Sequence, residues 1–528
     1  VSLTPSQVSG QSIALAKLDC KFQASLVALL ISLVFYLVSV TQVDSDLWSH
    51  HRFSTDLLRS AFFGHQSYCP GPASAFQWLD HQWLSQLAFS VLLQTNGWLG
   101  VVWLKIIVSC VTLVFAFNRL CRHRADIFSK AYIVLPAVAL LCPYFWAARP
   151  QVFSYLCLAI FLTLLQSAFE KSDMRLLWLP LLFTVWANLD GAMIIALLAL
   201  SVYLIARTVP LLRCSTSEGA IAILWMIFAA SFAGAGINPY GAGLLLFLLN
   251  PNVLPNLGGT SPIFNDLAGQ LFAGYLFILT ATIYSIVRTR EERAWPVLAT
   301  WAFFSVLPLL SVHYLPHFLI ATLILSSNHL CDLSKRRCVR SVIPSLRTQR
   351  LIAAGAFASC AVVVALACNF STRVWHLPPD SEPTEVALLL KRLNVTGNIL
   401  CRWDWCEYLT LESDKQMTIY YDHHDNSGCF PIGAWNAKRP TATTSLASNK
   451  LQITLVLVDK HDPSFNRMRL KPGWVLAYED DSSALFCPQD SPYLAKIERY
   501  SSITDRSYQF IFLPCIGSTQ PIKESPKA

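Results

Sequence analysis

The sequence predicts a mainly α protein: a polytopic bundle of transmembrane helices followed by a small C-terminal α/β domain. Three observations lead there. Of 528 residues, 54% are hydrophobic and only 14% charged, where an ordinary soluble chain carries about a quarter charged residues. Apolar windows long enough to cross a bilayer recur about eleven times. Lys and Arg crowd every second connection between those windows and avoid the others.

The windows run at 24–41, 98–118, 131–147, 151–169, 176–189, 191–207, 219–236, 271–287, 295–312, 314–329 and 351–368. A helix rises ~1.5 Å per residue against a hydrocarbon core of ~30 Å, so 176–189 and 314–329 are too short to cross untilted. Lys17 and Lys21 precede the first window as in a signal sequence. However, Val38-Ser39-Val40 is a poor cleavage site and further windows follow, so a retained anchor is expected.

Charge assigns the sides. One set of connections carries Arg119, Arg122 and Arg124; Lys171 and Arg175; Arg207 and Arg213; Arg288, Arg290 and Arg293; and Lys335, Arg336 and Arg337. The alternate set is nearly bare, and 237–270 has no Lys or Arg at all. Basic loops stay in the cytoplasm. The N-terminal segment 1–23 is therefore expected inside, the transmembrane domain at 24–368 has an odd number of spans, and the C-terminal domain lies outside a cytoplasmic (inner) membrane. The net charge of +8 then reports sidedness, and no nucleic-acid partner is expected.

The first outside loop, 42–97, is long. Within it WLDHQWLSQLAFSVLL sets Trp78 and Trp83 among Leu and Phe, the pattern of a segment lying on the membrane surface. Two other outside connections, ARPQ at 148–151 and NLDG at 188–191, are tight. After Cys368 a linker, 369–383, includes LPPDSEP, and 384–528 alternates helix-like and strand-like stretches. Residues 385–393 read as a helix; QMTIYYD, LQITLVLVD and WVLAYED read as strands. None of the 16 cysteines forms a CxxC pair. Cys110, Cys142, Cys157, Cys360 and Cys368 sit in apolar windows, where Cys behaves as a small hydrophobe. Cys401, Cys406, Cys429, Cys487 and Cys515 can form disulfides in an oxidising compartment, with a pairing that sequence does not give. Sequons at Asn369 and Asn394 matter only in a cell that glycosylates this face.

With sides assigned, the polar residues sort. Asp44, Asp46, His50, His51, His81, Arg149, Gln151, Asn188, Asp190, Asn238 and His313 all fall at outside ends of spans or in the first outside loop. Ionisable groups at membrane depth cost ~2.5–3.5 kcal/mol on insertion scales and so pair or line cavities. Several from different loops at one level imply a shared cavity. Each also has a plainer role. Asp44 or Asp46 can cap a helix beginning near Leu47, Arg149 can snorkel, and Asn188 and Asp190 can be turn residues. His313 and His317, one helical turn apart, are expected as a packed pair rather than a metal site. DHH at 422–424 is expected to be a solvated loop.

An acid at the membrane surface, a fixed Arg and interfacial aromatics suit a donor that is lipid-borne and carries a phosphate. Arg pairs with phosphate oxygens in bidentate fashion, and a carboxylate can take the proton of an attacking hydroxyl. Two acids one residue apart can also share a divalent cation, Mg2+ or Mn2+.

DSDLWSHH, DHQWLSQ, ARPQVFSY, WANLDGA, INPYG and HYLPHFLI, in that order, resemble a group of bacterial polytopic membrane proteins similar to the C-type glycosyltransferase superfamily. That superfamily includes protein O-mannosyltransferases, lipid A aminoarabinose transferases and oligosaccharyltransferase catalytic subunits. The resemblance covers about 24–330 and extends to CRWDWCEYL in the tail. It implies a polyprenyl-phosphate-linked sugar donor, with membrane lipids around it, and an acceptor hydroxyl or amine. It further implies Asp44 or Asp46 as the catalytic acid motif, Arg149 as the donor-phosphate partner, and His81 in the pocket wall. Gln151, His50, His51, Asn188, Asp190 and His313 complete the expected substrate-binding set. Two departures stand out. The group usually reads Trp-Ala-Asn-Leu-His-Gly-Gly where this chain has Asp190 and Ala192, and Cys406 and Glu407 replace two glycines.

Two other functions fit the composition. A lipid or solute transporter would need ionisable groups deep within spans or a visible internal repeat; few deep charges and no repeat are evident. A catalytically silent scaffold whose outside tail binds partners is the other.

Overall fold

A computed structural model of the chain describes residues 20–41, 79, 81–122, 127–212, 218–249, 269–289, 294–330, 383–402, 417–422 and 453–497, with isolated positions in 351–365 and 405–409. Two compact units divide the chain: Val1–Gln42 with Val102–Val374, and Val43–Val101 with Trp375–Ala528.

Apolar windows become helices: α1 (Cys20–Ser39), α2 (Trp83–Arg122), α3 (Ile127–Leu141), α4 (Gln151–Glu170), α5 (Leu179–Leu189), α6 (Met193–Leu211), α7 (Glu218–Ala235), α8 (Ala242–Leu248), α9 (Gly269–Arg288), α10 (Trp295–Leu310) and α11 (Leu315–Leu325). Five stretches within these are long and apolar enough to cross a membrane, counted among the described residues. The chain is a multi-pass membrane protein. The expected window at 351–368 lies mostly outside the described residues, and its described positions are helical.

Prolines start several helices. Pro180, Pro296 and Pro316 occupy first-turn positions of α5, α10 and α11, where the missing N–H is no loss and the fixed φ suits the helix. The expected span at 176–189 begins as a 3-10 turn, Asp173–Trp178, before α5 takes over. Eleven residues of α5 reach only ~16 Å, so α5 alone cannot cross. Gly97, with φ 62°, breaks α2 just before its spanning stretch, in a backbone region that suits glycine.

Every residue of α11 is buried. A helix apolar all round belongs in the middle of a bundle, and α11 packs against α4 and α10 while α6 packs on α10 and α5 on α7. The α5–α7 contact depends on a small residue. A Cβ built at Gly234 of α7 would lie 2.7 Å from the Pro180 carbonyl oxygen and 2.8 Å from Thr184 Oγ1. Close helix packing in lipid requires such residues.

In the second unit, α12 (Thr384–Arg392) precedes β1 (Gly397–Arg402), β2 (Met417–Asp422) and β3 (Ile453–Asp459); then come α13 (Pro463–Arg469), β4 (Trp474–Glu479) and β5 (Ser483–Pro488). The sheet order is β2-β1-β3-β5-β4, with β2-β1 and β1-β3 parallel and the remaining pairs antiparallel. Successive side chains of a strand face opposite ways. Leu455 and Leu457 of β3 therefore join α12 on one face, and Val456 and Val458 join Met468 of α13 on the other. The three strands expected from sequence are present, and β1 and β5 are additional. Cys401 on β1 is disulfide-bonded, while Cys487 on β5 is fully buried.

Replacing Gly234 by Val should destabilise the bundle by about 1–3 kcal/mol, the usual cost of overpacking, read as a lower melting temperature of the purified protein in lipid nanodiscs. A second expectation concerns Lys471, whose ammonium lies 6.0 Å from the centre of the Trp474 ring. Burial lowers its pKa to about 8. Between about pH 8 and the unfolded value the unfolded chain binds more protons than the folded one, so stability rises with pH in that window. Amide exchange of β4, corrected for its intrinsic pH dependence, should show more protection at pH 9.5 than at pH 7.5, and Lys471→Met should flatten that difference.

Candidate active site at the Asp190 end of the bundle

The last carbonyls of a helix have no partner within it, and lipid supplies none. At the C-terminal end of α1 the protein supplies them. Trp146, just past α3, donates Nε1–H to the Leu37 oxygen at 2.9 Å. Lys105 of α2 donates to the Val40 oxygen at 2.7 Å, to Thr41 Oγ1 at 2.8 Å and to the Trp146 oxygen at 3.3 Å. Lys105 is 1% exposed, and these three acceptors match the three donors of an ammonium group. It ties α1, α2 and the exit of α3 at one level. The sequence reading missed it, although a lone Lys inside VVWLKIIVSC was the available signal.

Further bonds extend this layer. Tyr144 Oη donates to the Val312 oxygen at 3.0 Å, joining the exit of α3 to the entry of α11. Asn188 Nδ2 donates to the Thr184 oxygen at 2.7 Å and the Ile237 oxygen at 2.9 Å, joining the ends of α5 and α7. Asn238 holds its own turn, donating to the Ala235 oxygen and accepting from Tyr240 N–H.

Asp190 is the buried carboxylate of this end, 3% exposed, in extended backbone as the C-cap of α5. The Ser154 hydroxyl donates to its Oδ2. Trp186 Nε1–H donates to Ser154 Oγ at 2.7 Å, and Ala192 N–H reaches Oδ2 at 3.3 Å. Asp190 is therefore turn chemistry and an interhelical tie at once. Its field reaches Tyr155, Tyr314 and His317, and that of Arg149 reaches Tyr155. Arg149 is half-buried, in the turn where Val152 N–H bonds back to its carbonyl.

Tyr155, one turn along α4 from Gln151, meets Phe145 and His317 edge-on at 5.6 and 5.7 Å between ring centroids; His317 also meets Tyr314 at 5.6 Å. His317 is buried and His313 exposed. The two therefore do not form the packed pair expected from their spacing, because the 3-10 turn Val312–Tyr314 sends them to different surroundings.

Among the expected site residues, Arg149, Gln151, Asn188 and Asp190 gather at this end, together with Ser154, Tyr155 and Trp186, which the sequence did not single out, and His317, which it expected only as packing. His81 is buried in the other unit, 3.4 Å from the Leu79 oxygen through Nδ1. Asp44, Asp46, His50 and His51 lie outside the described residues, as does the DHH stretch apart from the backbone of Asp422. Among the described residues no group of three His, Cys, Asp or Glu side chains could hold a metal ion.

An apolar groove of about 550 Å³ runs along α4 and α5, lined by Phe153, Leu156, Ile160, Leu164, Trp178 and Leu189 among others. The opposite end of the bundle is polar in a different way: Arg207 pairs with Asp173 at 3.1 Å, and Glu170 accepts from Gln166 at 2.7 Å and Asn328 at 3.2 Å.

No family model matches the chain, and no curated protein matches it. Solved structures do. One is ArnT from Cupriavidus metallidurans bound to undecaprenyl phosphate, 12% identical, covering 87% of this chain and 97% of that one with a TM-score of 0.48. Another is the apo oligosaccharyltransferase from Archaeoglobus fulgidus, 13% identical, covering 84% of this chain and 70% of that one with a TM-score of 0.48.

Replacing Lys105 by Met would leave the Val40 and Trp146 carbonyls and Thr41 without their donor. A loss of about 1–3 kcal/mol is expected, the cost of leaving buried neutral acceptors unsatisfied. It is measurable as a fall in melting temperature in nanodiscs.

Proposed function

We propose that this protein is an integral-membrane glycosyltransferase of the cytoplasmic membrane, moving a sugar from a polyprenyl-phosphate donor to an acceptor hydroxyl or amine on the outside. The observation that carries this reading is the gathering, at one end of the bundle, of Arg149 and Asp190 from two interhelical turns with Tyr155 of α4 and His317 of α11, with an apolar groove along α4 and α5 that hydrocarbon can fill. An amphiphilic ligand with a charged junction needs both features, polar groups for its junction and apolar surface for its chain.

In this reading Asp44 or Asp46 takes the proton of the acceptor group, and the freed lone pair attacks the anomeric carbon. The bond from that carbon to the phosphate oxygen breaks, and the lipid phosphate leaves with the electron pair. Arg149 holds the phosphate before and after cleavage, stabilising the charge that develops on the leaving oxygen. The terminal domain lies outside with the acceptor, a placement that the disulfide at Cys401 supports, since disulfides persist in oxidising compartments. A transporter would use membrane-buried ionisable groups as carriers; Lys105 instead spends its donors on helix ends and the neighbouring Thr41.

The test is transfer of radiolabelled sugar from polyprenyl-phosphate glucose, mannose or arabinose by protein in liposomes of bacterial lipid extract. Asp44→Asn or Asp46→Asn should lower turnover by about 10²–10⁴-fold, the range for a lost general base, and Arg149→Ala by about 10²-fold or more, as for a lost charge stabiliser. Unchanged turnover in both aspartate variants would end the catalytic reading in favour of a silent scaffold.

A further inference from the structure

His317 is 6% exposed, and neither ring nitrogen has a hydrogen-bond partner among the described residues. Burying an imidazole in this way costs free energy unless something completes its bonds. It is not isolated: Tyr155 and Tyr314 stand edge-on to it, and the Asp190 carboxylate lies within electrostatic reach. One turn along α4 from Tyr155, and so on the same face, Gln151 presents a buried Oε1 that is also without a partner. Two incomplete polar side chains thus come from α4 and α11, which pack together, at the end of the bundle that holds Arg149 and Asp190.

The chemistry of the unfilled positions selects the ligand. A neutral imidazole offers one donor and one acceptor, and Gln151 Oε1 offers only an acceptor. An anion needs donors alone and would be repelled by Asp190. A hydroxyl group both donates and accepts, which answers both an imidazole and an amide oxygen. We propose that His317, with Gln151, forms a subsite for a neutral polyhydroxyl group, the sugar ring of the substrate, distinct from the phosphate contact at Arg149. The proposal rests on the glycosyltransferase reading and names the part of the ligand that this corner receives.

Full-length protein in nanodiscs is titrated with undecaprenyl phosphate and with the same lipid carrying glucose, mannose or arabinose. At least one glycosylated lipid should bind the unsubstituted protein about tenfold more tightly than the bare lipid, the scale of one or two net hydrogen bonds. His317→Leu should abolish that increment and leave bare-lipid affinity within about twofold, a margin well below one hydrogen bond; Arg149→Ala should weaken all four lipids. His317→Gln, which keeps a donor and an acceptor, should retain part of the increment.

A second readout separates ligand binding from structure. Because the empty protein carries the cost of the incomplete imidazole, His317→Leu should raise the melting temperature of the ligand-free protein, as apolar replacement of an unsatisfied buried group does. Equal affinity for bare and glycosylated lipids, an increment that survives His317→Leu, or a His317→Leu protein that is less stable or does not fold would each overturn the subsite while leaving the phosphate reading intact. Failure of the unsubstituted protein to bind any of the four lipids would overturn both.

Discussion

A bilayer gives the polar ends of helices no water, so each exposed carbonyl and each ionisable side chain there must be answered from within the protein. At the Asp190 end the answers come from neighbouring helices. Lys105 and Trp146 complete the end of α1, Tyr144 reaches the entry of α11, and Asn188 reaches the end of α7. These bonds hold the interhelical turns at one level. The site follows from the same requirement: side chains that satisfy a helix end in lipid are already drawn together, and a ligand can use those left over.

Asp190 illustrates the point. The bacterial group that this sequence resembles usually has His at that position. A carboxylate only accepts, so the surroundings must donate, and they do: Ser154 through its hydroxyl, which in turn accepts from Trp186, and Ala192 through its backbone N–H. The substitution is absorbed by local chemistry. It adds a negative charge at the end of the bundle that also holds Arg149, and that charge argues against an anion in the corner occupied by His317.

Much of the fold was legible because apolar length is a strong signal. Ten of the expected windows correspond to described helices, and ARPQ and NLDG are the tight turns that their prolines, glycines and short polar residues imply. In the terminal domain β3 was visible as a long apolar run. Strands β1 and β5 were not, since each is six residues long and buried on both faces in the middle of the sheet, which removes the alternation that marks a half-exposed strand. Arg149, Gln151, Asn188 and Asp190 could be placed at one end from charge sidedness alone. His317 could not, because its meaning depends on Tyr155 and Tyr314, and a histidine in HYLPHFLI looks the same whether its bonds are complete or not. Lys105 was hidden by the hydropathy of its own helix.

Sidedness tests the account most directly. Ile237, at the end of the bundle that holds Asp190, is exposed, as are Met174 and Leu212 at the end that holds Arg207. Single cysteines placed at these three positions are treated with a membrane-impermeant maleimide in intact cells, and the modified peptides are read by mass spectrometry. The account predicts modification of Ile237→Cys in intact cells, and of Met174→Cys and Leu212→Cys only after permeabilisation. Modification of all three in intact cells, or of Met174→Cys and Leu212→Cys alone, would contradict it.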